Sequence, residues 1–144
     1  MTYFTTNQQY PLGIDLSVYN CSADGCRKPN FDLIAAHQPA VEFIAMRAGQ
    51  SWGYHDPAFP YYLAEALRIG VCILPYHVVF PGESARRQMD SFLNILASVD
   101  LQSVRLVLDM ELDHNQTRAK ITQTLGECLR ILQAETSRLP LVYS

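Results

Sequence analysis

Five apolar runs that recur about every 30 residues constrain the fold of this chain more than any other feature. Their length and their content of Val, Ile and Leu are typical of buried strands, and their spacing is that of one βα unit. The runs are LGIDLSV (12–18), VEFIAMRAG (41–49), VCILPYHVV (71–79), VRLVLDMEL (104–112) and LPLVYS (139–144). The sequence therefore predicts five strands, joined by connections that are long enough for helices.

Helical patterns fill the connections between these runs. Asn30 and Ser84 are suitable N-cap residues, and Gly70 suits a helix C-terminus. Apolar residues recur at helical spacing within 31–35, 59–67, 89–96 and 121–132. Because parallel strands need a crossover and helices usually provide it, the alternation predicts an α/β fold with a mainly parallel sheet.

Two α/β architectures contain such a sheet. A five-stranded doubly wound sheet suits a chain of 144 residues, whereas a complete (β/α) barrel needs about 200 residues or more. A doubly wound domain of five units would normally end on a helix that covers its sheet, but here the fifth apolar run comes last. We therefore expect a barrel-like fold related to the TIM barrel, with about five βα units and its last strands missing. The doubly wound sheet is the alternative.

This interpretation also predicts the domain organisation, which is a lead-in over residues 1–11 and one incomplete domain over 12–144. The first residues, MTYFTTNQQYPLG, have neither the positive charge nor the apolar core of a secretory signal. Export would then use another route or a leader that has been removed.

Composition argues against two classes of partner. The formal net charge is -3, the pI is about 5.7, and Lys and Arg form no cluster, so we expect neither nucleic acid nor an anionic lipid surface as a partner. The longest apolar runs are about ten residues, far short of the roughly 20 that cross a bilayer. The chain should therefore not span or bind a membrane.

The four cysteines do not define a scaffold or a metal site. Cys21 and Cys26 lie close together, but no second close pair accompanies them as a zinc site would require. Cys72 and Cys128 lie at apolar positions, where a free thiol behaves as a small hydrophobic group. Cys21 and Cys26 flank a turn-rich stretch, SADG, and either stay free or close a small disulfide loop in an oxidising compartment. No metal and no organic cofactor is predicted.

Polar side chains stand where four of the predicted strands end, which is where both architectures bind ligands. These residues are Asp15, Arg47, Tyr76, His77, Asp109 and Glu111. The last two are two positions apart on one strand, so their side chains share a face with Cα atoms about 6.5–7 Å apart. Carboxyl groups with an aromatic side chain and a base suit hydrolysis of a neutral polymer, in which one acid protonates the leaving oxygen and another stabilises charge.

Each of these residues also has a structural interpretation. Asp15 is suited to cap a loop or helix, and His77 to be a hydrogen-bonded residue of the core or rim. Arg47 can simply neutralise a neighbouring carboxylate, and Asp109 with Glu111 can be a solvated pair at a strand exit. Spacing alone does not decide between the structural and the catalytic interpretation.

The order of four motifs carries further information. GIDLS, then FIAMRAGQSWGYHDPAFPYYLAEALRIGVCILPYH, then VLDMELD and finally PLVYS resemble the family 25 glycoside hydrolases, the muramidases often called Chalaropsis-type lysozymes. That family has a Gly-Ile-Asp-Val-Ser start, an Arg or Lys strand with an Asp-x-x-Phe helix start, a Gly-x-Tyr-His strand and an Asp-x-Glu strand. The resemblance covers residues 12–144, although Asn20 stands where members often have Gln.

The resemblance implies hydrolysis of the β-1,4 link between N-acetylmuramic acid and N-acetylglucosamine in peptidoglycan, without a cofactor. The partner would be a glycan strand, and the site of action would be extracellular or the cell wall. Glu111 would be the general acid, and Asp109 would orient or polarise the acetamido group of the substrate or stabilise the transition state. Asp15 would complete the catalytic set. The substrate-binding residues would be Arg47, Tyr76, His77 and Tyr143.

Two other function classes stay open. One is an inactive relative that binds carbohydrate, because about three strands of the family fold are expected to be missing and the open sheet edges would then invite self-association. The other is a doubly wound protein whose acids bind a metal or phosphate group, as a receiver domain does. That class expects an acceptor Asp after the third strand and a Lys after the fifth, where this chain has PYHVV and VYS.

Overall fold

A computed structural model describes residues 10–25 and 27–144, so Cys26 and the first nine residues of the predicted lead-in lie outside the described residues. Strands and helices alternate along this part of the chain. The strands are β1 (Gly13–Leu16), β2 (Phe43–Gln50), β3 (Tyr54–His55), β4 (Cys72–Val78), β5 (Val107–Asp109) and β6 (Leu141–Tyr143). The helices are α1 (Phe31–Ala36), α2 (Phe59–Ile69), α3 (Ala85–Ile95) and α4 (Arg118–Thr136), with a 3-10 turn at Val18–Asn20.

The sheet order separates the two predicted architectures. Five strands lie side by side in the order β1-β2-β4-β5-β6 and pair in parallel, while the short β3 pairs antiparallel with β2. A doubly wound sheet reverses its strand order at a switch point, whereas here each crossover moves to the next strand in the same direction. The prediction of a barrel-like sheet is confirmed, and the doubly wound alternative is wrong.

The helices begin and end where capping chemistry predicts. The Asn30 side chain accepts hydrogen bonds from the backbone N–H groups of Asp32 and Leu33 at the start of α1. The Ser84 side chain caps α3, and α2 ends in a left-handed conformation at Gly70. Across the segments that the structure describes, no helix combines the length and the apolar character needed to cross a membrane.

The sheet has two faces of different character because side chains alternate along each strand. One face packs against the helices, and its central residues are fully buried: Ile44, Met46, Ile73 and Leu108. They meet apolar side chains of α2, α3 and α4, such as Tyr62, Phe92 and Leu132. The other face bears the alternate side chains and lines a cavity of about 450 Å³, to which no described helix contributes a residue. The helices thus hold the sheet from one side and leave the opposite face for a ligand.

The cysteines agree in part with expectation. Among the described residues, Cys21, Cys72 and Cys128 form no disulfide with one another, and Cys128 is fully buried as an apolar residue would be. Cys72 is exposed, which corrects its predicted place in the core, because it starts β4 at the end of the sheet. The possible disulfide between Cys21 and Cys26 falls outside the described residues.

The strand β6 has an unusually exposed surface. Its residues Leu141, Val142 and Tyr143 are 47%, 45% and 58% exposed, and among the described strands it pairs only with β5. An edge strand of this kind presents free backbone groups and apolar side chains to other chains. Self-association through this edge, which the sequence suggested, therefore stays a physically motivated prediction.

We expect the 144-residue chain to self-associate, and we expect Val142→Lys to reduce that association, since a lysine on an edge strand disfavours pairing. Sedimentation velocity over a concentration series measures the effect. Leu67→Lys is the matched control, because Leu67 is an exposed apolar residue on α2, away from both sheet edges. A monomeric parent chain, or equal association of the two variants, would contradict this prediction.

Candidate active site

The cavity on the open face brings together five of the seven residues that the sequence singled out. Its polar or aromatic lining consists of Asp15, Tyr76, Asp109, Glu111 and Tyr143. Its floor is apolar and includes Ala45, Leu74, Val107 and Leu141. A volume of about 450 Å³ lies in the range of pockets that hold small molecules or a few groups of a polymer.

The strand register explains why these side chains meet. In the register of the parallel sheet, Asp109 pairs with Tyr143, and Tyr76 pairs with Val107, which precedes Asp109 by two residues. Met110 turns into the core, so the side chains before and after it, Asp109 and Glu111, lie on the cavity face. The two-residue spacing in the sequence therefore places both carboxyl groups in one cavity, with Asp109 half-buried and Glu111 exposed.

Asp15 and Tyr76 form a polar contact on this face. The Tyr76 hydroxyl donates a hydrogen bond to the Asp15 carboxylate. Burial raises the pKa of Asp15, and this effect exceeds the lowering by the Tyr76 hydrogen bond and by the positive charge of Arg47. The pKa of Tyr76 is raised mainly by burial and then by the negative charge of Asp15. Tyr76 is therefore a neutral hydrogen-bond donor at any ordinary pH.

Asp109 has the most strongly perturbed carboxyl group of the cavity. Burial raises its pKa to about 6, and the negative charges of Glu111 and Asp15 and a hydrogen bond with Glu111 act in the same direction. The positive charge of Arg47 acts in the opposite direction. The Oδ1 atom of Asp109 is buried without a protein hydrogen-bond partner among the described residues. Such a group holds a proton up to nearly neutral pH and can accept a hydrogen bond from a ligand.

Arg47 lies beside the cavity rather than in its lining. The guanidinium Nε donates to Asp56 Oδ2 at 2.8 Å, and the group lies near the Tyr19 and Tyr54 rings, 5.0 and 5.3 Å from their centroids. Its positive charge lowers the pKa values of Asp15 and Asp109. Arg47 thus neutralises a carboxylate, as its structural interpretation expects. Its direct contact with a substrate stays a prediction.

The structure does not bring His77 to the cavity, which corrects its predicted role in substrate binding. It follows Tyr76 directly, so its side chain points to the opposite, helix-covered face of β4. The ring is fully buried and lies 5.1 Å from the Phe92 ring, and neither of its nitrogens has a hydrogen-bond partner within the described part of the chain. Burial lowers its pKa to about 4, so His77 is a neutral core residue at physiological pH.

The sequence analysis missed three residues near the site. Asp56 is buried and paired with Arg47, while Tyr19 and Tyr54 flank the same guanidinium. Asp56 had a signal, because it precedes Pro57 at a predicted helix start. The two tyrosines had none, since Tyr19 lies in the 3-10 turn and Tyr54 in the two-residue β3, and both elements are too short to show periodicity. In the part of the chain that is described, no group of three or more His, Cys, Asp or Glu side chains is arranged to hold a metal ion.

The environment of Asp109 predicts a pH-dependent cost to stability. The pKa of this carboxyl group is higher in the folded state, about 6, than in the unfolded state, near 3.9. The group therefore favours folding at a pH below about 3.9, where it is protonated, and disfavours folding at a pH above about 6, where it must carry a buried charge. Asp109→Asn removes the buried charge, so we expect it to stabilise the chain at pH 7 by about 1 kcal/mol, allowing for the partly exposed position. The melting temperature should rise by about 3 °C at pH 7 and by much less at pH 4. A decrease at pH 7, or the same change at both pH values, would contradict the prediction.

Solved structures share this fold. A family 25 glycosyl hydrolase from Bacillus anthracis superposes with a TM-score of 0.80 at 14% identity, over 96% of this chain and 62% of its own. A muramidase from Trichobolus zukalii superposes with a TM-score of 0.75 at 21% identity, and the match covers 94% of this chain and 65% of the muramidase. A third structure is the modular autolysin LytC from Streptococcus pneumoniae in complex with a synthetic peptidoglycan ligand. It superposes with a TM-score of 0.68 at 16% identity, and the match covers 91% of this chain and 31% of the autolysin. At such identities the likeness establishes the fold.

The chain spans less than two thirds of the length of each of these solved chains. No curated protein matches its sequence significantly. A family model gives the assignment that the structures alone do not give, because it matches residues 14–144, almost the whole chain. In agreement with the resemblance of its four motifs, the chain belongs to the glycosyl hydrolases family 25.

Proposed function

We propose that this domain hydrolyses the β-1,4 bond between N-acetylmuramic acid and N-acetylglucosamine in peptidoglycan. One observation carries the proposal: three carboxyl groups and Tyr76 meet in one cavity at the carboxyl ends of parallel strands, in a chain of a glycosyl hydrolase family. The domain would be the segment 12–144, and its partner would be a glycan strand. Because peptidoglycan lies outside the cell membrane, the protein would act extracellularly or at the cell wall.

Glu111 is the proposed general acid. It lines the cavity just after β5 and is exposed to solvent, so it could reach a glycosidic oxygen of a bound glycan. It would donate a proton to the leaving oxygen of N-acetylglucosamine as the C1–O bond of N-acetylmuramic acid breaks. As a carboxylate, Glu111 would then take a proton from the water that attacks C1, which restores the acid.

Asp109 is the proposed partner of the acetamido group. Some glycosidases use the substrate's own acetamido oxygen as the nucleophile in place of an enzyme carboxylate. The acetamido oxygen would bond to C1 as the leaving group departs, and an ionised Asp109 would accept a hydrogen bond from the acetamido N–H. The bond between the acetamido oxygen and C1 would break again when water attacks C1, which restores the acetamido group. The unpartnered Oδ1 atom of Asp109 supports this role, since it is a buried acceptor without a protein donor among the described residues.

Asp15 and Tyr76 would act on the same sugar. The negative charge of Asp15 would help to stabilise the positive charge that develops at C1, and its position is fixed by the Tyr76 hydroxyl. The ring of Tyr76 would lie against the sugar at the bond that is cleaved, and Tyr143 would contribute to the wall on β6. The muramidase and the ligand-bound autolysin among the structural neighbours support peptidoglycan as the substrate class.

The test is the hydrolysis of purified peptidoglycan by the protein that carries this domain. Glu111→Gln should reduce hydrolysis by about 10²–10⁴-fold, because the amide keeps the shape of the side chain but cannot donate the acid proton. Glu42→Gln is the matched control, since Glu42 is exposed, precedes β2 and is not one of the residues that line the cavity. The measurement is the release of muropeptides with N-acetylmuramic acid at the reducing end, by mass spectrometry.

Three outcomes would count against the proposal. Hydrolysis by Glu111→Gln within threefold of the parent would remove Glu111 from the acid role. Products that end in N-acetylglucosamine would contradict the bond assignment. Binding of glycan strands by the unsubstituted protein without any cleavage would favour the alternative of an inactive, carbohydrate-binding relative.

A second prediction separates the two roles considered for Asp109. If the acetamido group is the nucleophile, chemically N-deacetylated peptidoglycan should be cleaved at least about 10²-fold more slowly than the acetylated form. Asp109→Asn should then impair cleavage of acetylated glycan strongly and change the residual rate on deacetylated glycan little. Equal rates on both substrates would assign Asp109 to direct stabilisation of the transition-state charge instead.

A further inference from the structure

Asp56 does not line the active-site cavity, but its side chain joins three segments of the chain. Its Oδ2 atom accepts hydrogen bonds from Arg47 Nε at 2.8 Å and from the backbone N–H of Val18 at 3.1 Å. Its Oδ1 atom accepts from the backbone N–H of Ala58 at 2.9 Å, at the start of α2. The side chain therefore ties the turn after β1, the strand β2 and the helix α2 to one carboxylate, which is 3% exposed.

The backbone of Asp56 is fixed as firmly as its side chain. Its N–H donates to the carbonyl of Ala48 at 2.9 Å, and its own carbonyl accepts from the N–H of Phe59 at 3.1 Å. The carboxylate therefore cannot move without breaking bonds to β2 and α2. Arg47, 7% exposed, is held by a partner that is itself rigid.

Arg47 is the cation next to the acidic cluster, which is formed by Asp15, Asp109 and Glu111: on β2 it pairs with Tyr76 of the cavity and follows Ala45, the partner of Asp15, by two residues. Among the described residues, the groups that act on Asp109 are Glu111 beside it, Asp15 on β1 and Arg47 on β2, while Tyr76 on β4 and Tyr143 on β6 line the same cavity. All the charged members except Arg47 are acids. Asp56 lies near two titratable groups, which are the guanidinium of Arg47 and the phenol of Tyr62 on α2. The position and the neutralisation of the Arg47 charge therefore both depend on Asp56.

We propose that Asp56 is a positioning residue, which holds Arg47 beside the acidic cluster and limits how much positive charge Asp15 and Asp109 experience. The inference rests on the proposed function, because it assigns the ionisation of the same carboxyl groups to an ion pair outside the cavity. It differs from a purely structural role for Asp56, in which the carboxylate would only cap α2 and fasten the turn after β1.

Removal of the Asp56 charge has a defined sign. In Asp56→Asn, Arg47 loses its counter-ion, so its full charge acts on Asp109 and favours the ionised carboxylate. The pH at the titration midpoint of Asp109 should be lower than in the parent chain by at least about 0.5 pH units. Arg47→Gln removes the cation and should move the midpoint in the opposite direction, upwards. A loosened cavity would also lower the midpoint in Asp56→Asn, so the single variant alone does not separate the two explanations.

The decisive experiment is a double-mutant cycle with carboxyl ¹³C NMR titration. Asp109 is followed in the parent chain, in Asp56→Asn, in Arg47→Gln and in the double variant, with thermal unfolding as a check on folding. The expected result is that Asp56→Asn shifts the midpoint in the parent but not in the Arg47→Gln background. Asp32→Asn is the control, because Asp32 also pairs with an arginine, Arg68, but on the exposed surface.

An equal shift in both backgrounds, or no shift in either, would overturn the proposal and leave Asp56 with a structural role. If Asp56→Asn does not fold, Asp56→Glu replaces it, since it keeps the charge and displaces the carboxylate by one methylene. Its shift should again require Arg47. The titrations need no substrate, so they stand whether or not the protein hydrolyses peptidoglycan, and loss of the proposed function would appear separately in the Glu111→Gln assay.

Discussion

The alternation of side chains across a parallel sheet is the constraint on which this structure depends. One set of alternate residues on β2, β4 and β5 is apolar and packs under the helices, and the other set lines the cavity. A shift of one position in β5 would exchange its two sets, and would place Asp109 in the core and Leu108 in the cavity. The register of the sheet therefore specifies both the core and the site.

The acids in the cavity work against the stability of the fold, and the structure limits the cost in specific ways. Asp15 receives the Tyr76 hydroxyl and lies within the field of Arg47, and both lower its pKa against the effect of burial. Asp109 has weaker support: Arg47 lowers its pKa as well, but its Oδ1 atom lacks a protein partner among the described residues and its carboxylate neighbours repel it. A buried acceptor that the protein leaves open is a feature of sites that bind a ligand rather than of a core optimised for stability.

Local chemistry made most of this fold predictable, and the failures have identifiable causes. Caps and apolar spacing located the helices because these signals act within a few residues. The hairpin of β3 was missed, since two residues carry no periodicity, although Gly49 marks it. A Cβ there would lie 2.6 Å from the Tyr54 carbonyl oxygen. The role expected for His77 failed because it follows Tyr76 directly, and adjacent residues of one strand do not face the same side.

The pairing of Arg47 with Asp56 could not be inferred from either residue alone. It spans the β3 hairpin, and its geometry depends on the irregular register that β2 adopts between Arg47 and Gly49. A buried ion pair contributes little net stability, because desolvation offsets the attraction, whereas loss of one partner costs about 3–5 kcal/mol. The pair therefore makes one arrangement of β2, α2 and the turn after β1 much more favourable than its alternatives. Since the same guanidinium lowers the pKa values of Asp15 and Asp109 against the larger effect of burial, the interaction that orders this corner of the sheet also acts on the ionisation of both carboxyl groups.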